Sequence, residues 1–600
     1  MKFNKTRVNA LATAVALGVA SMAMQAADQP SIPASSTLPS TAFTGGVTMN
    51  NGASFHEVVP PTEPFDFLAT IKPAGTHVGR NASLFAIAEA DGFGQLTLNS
   101  EGQWVAHDPN NIQSFQTKAL AFSEAITLVD DLVANDVGGA GVTLKITVGY
   151  FLESSPSTLH QTATPISVTI ADNPSGCPAG TTQNAATFEG KPVCNLPADR
   201  ILTDVHLTDN NVYFAKGTVF IGSNTVNTPD ADRVSLTIDP GVKIIAEGGQ
   251  TALVIDRGGK IFANGTAAKP IIMTSSQDDG SLDVLNARGL WGGLTISGSA
   301  TQNTASGFAI GEGSTGEYGG GTSPNDDDSS GAVTYVQIRY AGFPITSDDE
   351  LNTISLQGVG RGTILDYIHS HNGADDGIEF YGGTVNAKHI LITGQDDDAL
   401  DWTNGWTGNL QHVVIQHTTA GDNCIEADNL GGNPTATPRS NPTVVNLTCI
   451  TSSTQKANGH AFELKAGTGM QMYNSVIGGQ LESTEGCILI SGDETFIQSG
   501  ANASSLNGTL RMENSLITTA CSEALAGEGT FSTADWFAAQ ANTTSGTVDL
   551  GGEEGWTNGS AINGVTPAAL NDSFFDSVDY IGAVKNSSLD WTIGWSFDFD

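Results

Sequence analysis

The 600-residue chain carries 63 Asp and Glu against 24 Lys and Arg, a formal net charge of −39, although only 14% of its positions are charged. That shortage of basic residues excludes a duplex-reading nucleic-acid protein, because phosphate neutralisation needs Lys and Arg. With 39% apolar residues, 25 Phe and 70 Gly, and long stretches of Thr, Ser, Asn and Val, it is the composition of an ordered, mostly β protein with many tight turns.

Residues 1–26 read as a secretory signal peptide: Lys2, Lys5 and Arg7 precede an apolar stretch from Ala10 to Ala20, then small residues near Ala23 and Ala26. Cleavage there removes three bases and no acids, leaving 63 acids against 21 bases, or −42. No later run of about 18 apolar residues could span a bilayer. The chain is therefore expected to be exported, to the cell surface or extracellular matrix, with no membrane span. Six cysteines in an exported chain suggest disulfides, and proximity favours Cys177 with Cys194, Cys424 with Cys449 and Cys487 with Cys521 among the fifteen connectivities that six allow.

Residues 27–60, rich in Ser, Thr, Pro and Gly, read as a flexible tether. Over 61–172, period-two alternation predicts the half-buried strands of a small β-sandwich, clearest in Val142 to Tyr150 and Ile166 to Ile170. A Pro- and Gly-bearing segment with Cys177 and Cys194, 173–200, reads as a disulfide-closed linker.

From residue 201 to about 535, short strands recur at a longer period. Asp375-Asp376-Gly377-Ile378-Glu379-Phe380 is echoed by Asp397-Asp398-Ala399-Leu400-Asp401-Trp402, then Asp422-Asn423-Cys424-Ile425-Glu426-Ala427 and Gly459-His460-Ala461-Phe462-Glu463-Leu464, at offsets of 22, 25 and 37. A second series starts at His389, His412, Asn446, Asn474 and Asn514. Two interleaved series with one period, lengthened by insertions, predict one coil per repeat of a parallel β-helix. The fold class is thus all-β, a parallel β-helix preceded by a small β-sandwich. Residues 536–600, with Trp591 and Trp595 repeating the spacing of Trp402 and Trp406, are expected to form a C-terminal cap.

The stretches Ile238-Asp239-Pro240-Gly241-Val242-Lys243-Ile244, Ala263-Asn264-Gly265-Thr266-Ala267-Ala268-Lys269-Pro270, Trp291-Gly292-Gly293-Leu294 and Asp401-Trp402-Thr403-Asn404-Gly405-Trp406 resemble a family of exported bacterial right-handed β-helix proteins, over about residues 200–600. The overall plan is also similar to surface-layer and biofilm-matrix proteins of marine gammaproteobacteria.

In the first strand series, apolar residues flank one acid. Alternation turns the apolar pair inward and places Glu379, Asp401, Glu426 and Glu463 in a column on the outer face. Charges on adjacent coils, about 4.8 Å apart, repel by about 1 kcal/mol in water or about 3.5 at an effective dielectric of 20, so the column needs a reason. Turn residues Asp375, Asp376, Asp396, Asp397, Asp398 and Asp422 add oxygen ligands, and a set of this kind suits Ca²⁺. The competing reading is a solvated face with turn aspartates capping backbone amides. The runs Asp326-Asp327-Asp328 and Asp348-Asp349-Glu350 read as solvated loops.

The main expectation is a non-enzymatic, self-assembling surface-layer or biofilm-matrix protein. Ca²⁺ would bridge its acidic face, with self-association and lipopolysaccharide or exopolysaccharide as partners. The alternative is a glycan-active lyase or hydrolase. Asp396-Asp397-Asp398 resembles the paired aspartates of the polygalacturonase group, and Gly459-His460 and Lys465 would stand for that group's histidine and lysine. Against a uronate substrate, no Arg follows the acidic cluster until Arg439.

Overall fold

The computed structural model describes residues 29–35, 41–49, 55–61, 64–90, 94–109, 111–134, 141–171, 176–198, 200–346, 349–418, 421–456, 459–479, 486–498, 508–519, 521, 525–528, 530–541, 543–546 and 565–599. The signal-peptide assignment lies outside them. The chain divides into two compact units, 1–175 and 176–600. Among the described residues, no helix is long and apolar enough to cross a membrane.

The first unit is a β-sandwich. One sheet orders Ser31–Ile32, Ala42–Thr48, Pro64–Lys72 and Glu124–Val133, and the other centres on Asn81–Ala90 paired with Thr143–Leu152. Phe43, Phe65, Phe67, Leu84, Ile146 and Val148 meet in the core. The tether reading of 27–60 is corrected here, since Ala42–Thr48 pairs along its whole length with Pro64–Lys72. Its glycines serve close packing: a Cβ on Gly45 would come within 2.6 Å of Ile166, and one on Gly46 within 2.5 Å of Phe55. A segment of small residues looks flexible in sequence because the large side chains that press on it, Phe55 nine positions on and Ile166 from a later strand, follow no local period.

The second unit is a parallel β-helix of two long sheets, one of 18 strands and one of 11. The first strand series lies in the smaller sheet, as Ile378–Tyr381, Leu400–Thr403, Ile425–Ala427 and Phe462–Leu464, each in parallel register with the next. The second series lies in the larger sheet, including Ala387–Thr393, Asn409–Gln416 and Thr443–Thr451. Ile378, Phe380, Leu400, Trp402, Ile390 and Val413 point into one continuous core, joined by Trp406. The three disulfides are Cys177–Cys194, Cys424–Cys449 and Cys487–Cys521.

Two expected boundaries change. The segment 173–200 is no free linker: Thr182–Phe188 and Lys191–Asn195 form an antiparallel pair that begins the 18-stranded sheet, with Cys194 in the core. Of the expected cap 536–600, Trp536 and the last strand, Thr544–Gly546, do lie at the solenoid's end, but residues 565–599 do not. Residues 565–599 run back along the side of the larger sheet, from Asn514, which donates to the Thr566 carbonyl at 2.7 Å, past Asn474 and Gln411, to the Phe597 amide beside His369. Under this tail the rings of Tyr335, Tyr367, His389 and His412 stack on successive coils at 4.2, 4.2 and 4.9 Å. All four residues have positive φ, which bends each long strand at the same place. Trp591 and Trp595 pack edge-on against that ladder.

Candidate active site on the eleven-stranded sheet

Strand alternation builds the acidic column directly. Glu379 stands opposite Asp401, Asp401 opposite Glu426 and Glu426 opposite Glu463, with Ser355 before them and Leu489 after. Their neighbours Ile378, Phe380, Leu400, Trp402, Ile425 and Ala427 are in the core, so the carboxylates project outward.

The face is not open to water throughout. Residues 298–330, which link Gly293–Ser297 to Gly331–Arg339, fold over it. From this covering segment Glu312 accepts the Tyr381 hydroxyl at 2.7 Å, and the Tyr318 hydroxyl accepts from Asn404 at 2.9 Å. Asn352 donates to Glu379 at 2.7 Å and to the Tyr381 hydroxyl at 3.1 Å. Glu379 is left 8% exposed, so a solvated face cannot describe it. Sequence reading missed Glu312, because an excursion without periodicity gives no sign of where it folds back, and missed Tyr381 and Asn352, whose pairing with Glu312 and Glu379 no local pattern announces.

The turn acids divide by role. Asp376 Oδ1 accepts the Asp398 amide at 3.1 Å, Asp398 Oδ1 accepts the Asn423 amide at 2.7 Å, and Asn423 Oδ1 accepts the His460 amide at 2.8 Å. This ladder ties each coil to the next, so capping is what Asp376 and Asp398 do with one oxygen each. Asp397 pairs with Lys456 at 2.9 Å and Glu426 with Lys465. Asp375 differs: it is 8% exposed, and its carboxylate has no hydrogen bond or ion pair among the described residues. Asp401 Oδ1 is likewise buried without a donor. Asp396 and Asp422 are half-buried at the rim.

Carboxylate oxygens of Asp375, Asp376 and Asp397 lie within 4.8 Å of one another, as do those of Asp376, Glu379 and Asp401. Asp376 is common to both groups, so five of the ten acids singled out in the sequence converge. Asp396, Asp398, Asp422, Glu426 and Glu463 stand outside those two groups. His460 does not serve the site, because it is buried with its ring nitrogen against the Gly486 carbonyl.

Burial dominates the electrostatics. It raises Glu379 well above the ordinary carboxylate range, with Glu312 adding to the effect and the Tyr381 and Asn352 hydrogen bonds opposing it. Burial and then Glu379 and Glu426 raise Asp401. Burial and then Asp375 and Asp398 raise Asp376. Asp375 is pushed up to about 8 by burial, with Glu350, Asp397 and Glu312 adding and Lys456 opposing. Asp428 rises to about 6, chiefly by burial. Carboxyl groups so placed hold protons at pH values where free ones do not.

The acidic runs read as solvated loops in fact secure the covering segment. Asp328 is buried in an ion pair with Arg233 and accepts the Ser299 amide at 3.3 Å; Asp326 accepts the Thr301 amide at 2.9 Å and Asp349 the Gly313 amide at 2.7 Å. Asp348 lies outside the described residues.

Residues 199–561 match the family model of a pectate-lyase-like β-helix domain. The chain belongs to this family. Among solved structures it is similar to the catalytic unit of a thermostable GH87 α-1,3-glucanase from Streptomyces thermodiastaticus strain HF3-3. That match has 12% identity, covers 86% of this chain and 87% of that one, and has a TM-score of 0.24. No curated protein matches the chain in sequence. Membership of the pectate-lyase-like β-helix family overturns the expectation of a non-enzymatic, self-assembling surface-layer or matrix protein. It bears out the parallel β-helix resemblance, and the three disulfides fit an exported member of the family.

Proposed function

We propose that the chain is an exported glycan-active enzyme, a polysaccharide hydrolase or lyase, whose chemistry takes place on the outer face of the eleven-stranded sheet. The observation that carries this reading is the group Asp376, Glu379 and Asp401, with oxygens within 4.8 Å on a partly covered face and all three carboxyls raised by burial. Carboxyl groups that close do not ionise together, so one member is driven to keep its proton where its neighbour is ionised. A proton donor beside a carboxylate is the equipment that cleaves a glycosidic bond. The pectate-lyase-like family supports the same reading. Asp401, half-buried with one oxygen lacking a donor, is the member best placed to meet a substrate, and Glu379 is held beside it by Asn352.

Asp375, Asp376 and Asp397 would hold a Ca²⁺ ion. Their oxygens are hard ligands at mutual distances that one such ion spans, and Asp375 has no competing hydrogen bond among the described residues. The ion's role would be to offset charge and fix the turn before Ile378–Tyr381.

The test is a screen of the mature protein on a panel of polysaccharides, wild type against Asp401→Asn and Glu379→Gln. Turnover by wild type that both substitutions abolish supports the reading. Turnover that both variants retain removes the site, and no turnover by wild type on any polymer overturns the enzymatic reading.

A further inference from the structure

We infer that residues 565–599 are a strap that acid releases: a proton added to Nδ1 of His369 takes the place of the Phe597 amide and frees the end of the tail. The strap lies on the larger sheet, away from the carboxylate column, and its release is independent of what that column binds.

The tail is docked on the solenoid without becoming part of it. Among the described residues 565–599 the regular structure is one short turn, Ser587–Leu589, and neither sheet takes a strand from them. Side chains of successive coils hold the tail's backbone instead. Asn474 donates to the Ala568 carbonyl at 3.1 Å and accepts the Ala568 amide at 2.7 Å, and Gln411 does the same for Asp576 at 3.0 and 2.7 Å. Asn446 donates to the Gly582 carbonyl at 3.0 Å, Thr448 accepts the Ala583 amide at 2.8 Å, and Gln337 donates to the Trp595 carbonyl. Bonds of this kind can open while the ladders of both sheets stay closed.

His369 is wholly buried beneath the tail's end, with the Trp595 ring edge-on at 6.3 Å. Its Nδ1 accepts the Phe597 amide at 3.3 Å, and its Nε2 lies 2.9 Å from the Thr393 hydroxyl, which is 2.8 Å from Nδ1 of His371. A neutral imidazole carries one proton. Because Nδ1 accepts, that proton sits on Nε2 and is donated to Thr393, whose own proton serves His371. The nitrogen of His369 left to protonate is therefore the one that holds Phe597. An imidazolium donates at both nitrogens, so the Phe597 amide would face an N–H and lose its acceptor.

The surroundings oppose that charge while the tail is in place. Arg339, on the neighbouring strand, sets its guanidinium 3.6 Å from the centre of the Phe597 ring and faces His369 together with His371, and Arg288 faces His371. The acids on this side, Asp278, Glu189 and Asp598, act on Arg339 or Tyr340, and Asp278 pairs with Arg339 at 3.5 Å. Burial, then His371 and Arg339, hold His369 well below the ordinary imidazole range. Further along the tail, where Tyr580 lies 3.5 Å from Nδ1 of His412, burial and then His389 lower His412 to about 4, with Asp576 opposing and Lys388 adding. Under the strap both histidines hold fewer protons than a free imidazole with its value of 6.5. Attachment is thus complete above about pH 7 and weakens as the pH falls through about 6.5 toward about 4.

Between about pH 7.5 and about pH 4.5, a histidine that titrates only when released raises the released fraction about 100-fold. Hydrogen exchange of the mature protein at those two pH values, corrected for the intrinsic rate and read by mass spectrometry, should show protection of residues 594–599 falling by about that factor, while Leu400–Thr403 keeps its own. His369→Gln, whose amide oxygen can accept from Phe597 but takes up no proton, should lose the dependence. Equal protection of the tail at both pH values overturns the strap, and so does loss from the tail and the core strand together, which is global unfolding. A dependence that His369→Gln leaves intact overturns the assignment to Nδ1. The wild-type comparison needs no substitution, so it decides even where the variant disturbs the fold.

Discussion

The Tyr381 hydroxyl donates to Glu312 at 2.7 Å, tying a carboxylate of the covering segment to the strand that carries Glu379. The same hydroxyl accepts from Asn352, which also holds Glu379, so two acids from distant parts of the chain share one hydrogen-bonded network. The Tyr381 bond lowers Glu312, which is otherwise raised by burial and then by Asp349 and Glu350. Tyr381→Phe should therefore raise Glu312 further and cost about 1–2 kcal/mol of stability. Carboxyl titration by NMR, with denaturant unfolding of the two proteins, checks both signs.

Asp401→Asn and Glu379→Gln should each lower turnover by about 10²–10⁴, the range a general acid or base supplies. Neither should lose the fold, because an amide replaces a carboxyl group that is raised, and hence inclined to be neutral, in the native protein. Rates on the active polymer, with circular dichroism as control, separate a chemical role from a structural one.

Stability should fall as pH rises through the range where Asp375 ionises. Its folded value, about 8, lies above the ordinary aspartate value of 3.8, so the native state holds the proton more tightly. The stabilisation is complete below about pH 4 and is lost progressively up to about pH 8. Asp375→Asn keeps the neutral form at every pH. In metal-free buffer the variant should match wild type near pH 4 and exceed it by on the order of 1–3 kcal/mol at pH 8. A variant less stable than wild type at pH 8 would contradict this.

Calcium should raise the melting temperature of wild type, with chelator reversing the shift. At an ion concentration 100 times Kd the gain would be about 2.7 kcal/mol. Asp375→Asn should remove most of it, and Glu463→Gln, a column position outside both carboxylate groups, should not. Equal shifts in all three proteins would place the ion elsewhere.

Trp595 is buried where the C-terminal tail crosses the aromatic ladder, with rings of Tyr335 and Tyr367 edge-on at 5.7 and 5.9 Å. Trp595→Ala should cost about 3–5 kcal/mol and release the tail to proteolysis. Limited digestion followed by mass spectrometry reads the release, and urea unfolding reads the cost.

The sequence by itself determined what repeats. Period-two alternation at offsets of 22 and 25 residues specifies parallel strands, which residues enter the core, and that Glu379, Asp401, Glu426 and Glu463 share an outward column, because side-chain direction is a local property of a strand. Cysteine proximity likewise anticipated three pairs that close on neighbouring elements. What only the tertiary structure decided is what covers, pairs with or presses on those positions. Gly45 and Gly46 look like a tether until Ile166 and Phe55 are seen against them, and the last residues look like a cap until they are found alongside Asn474 and His369. The acidic column looks like a solvated face until residues 298–330 fold over it. Such contacts join residues from nine to more than two hundred positions apart through segments with no period. The burial they impose, more than the charges themselves, turns an outward row of carboxylates into a group able to hold protons.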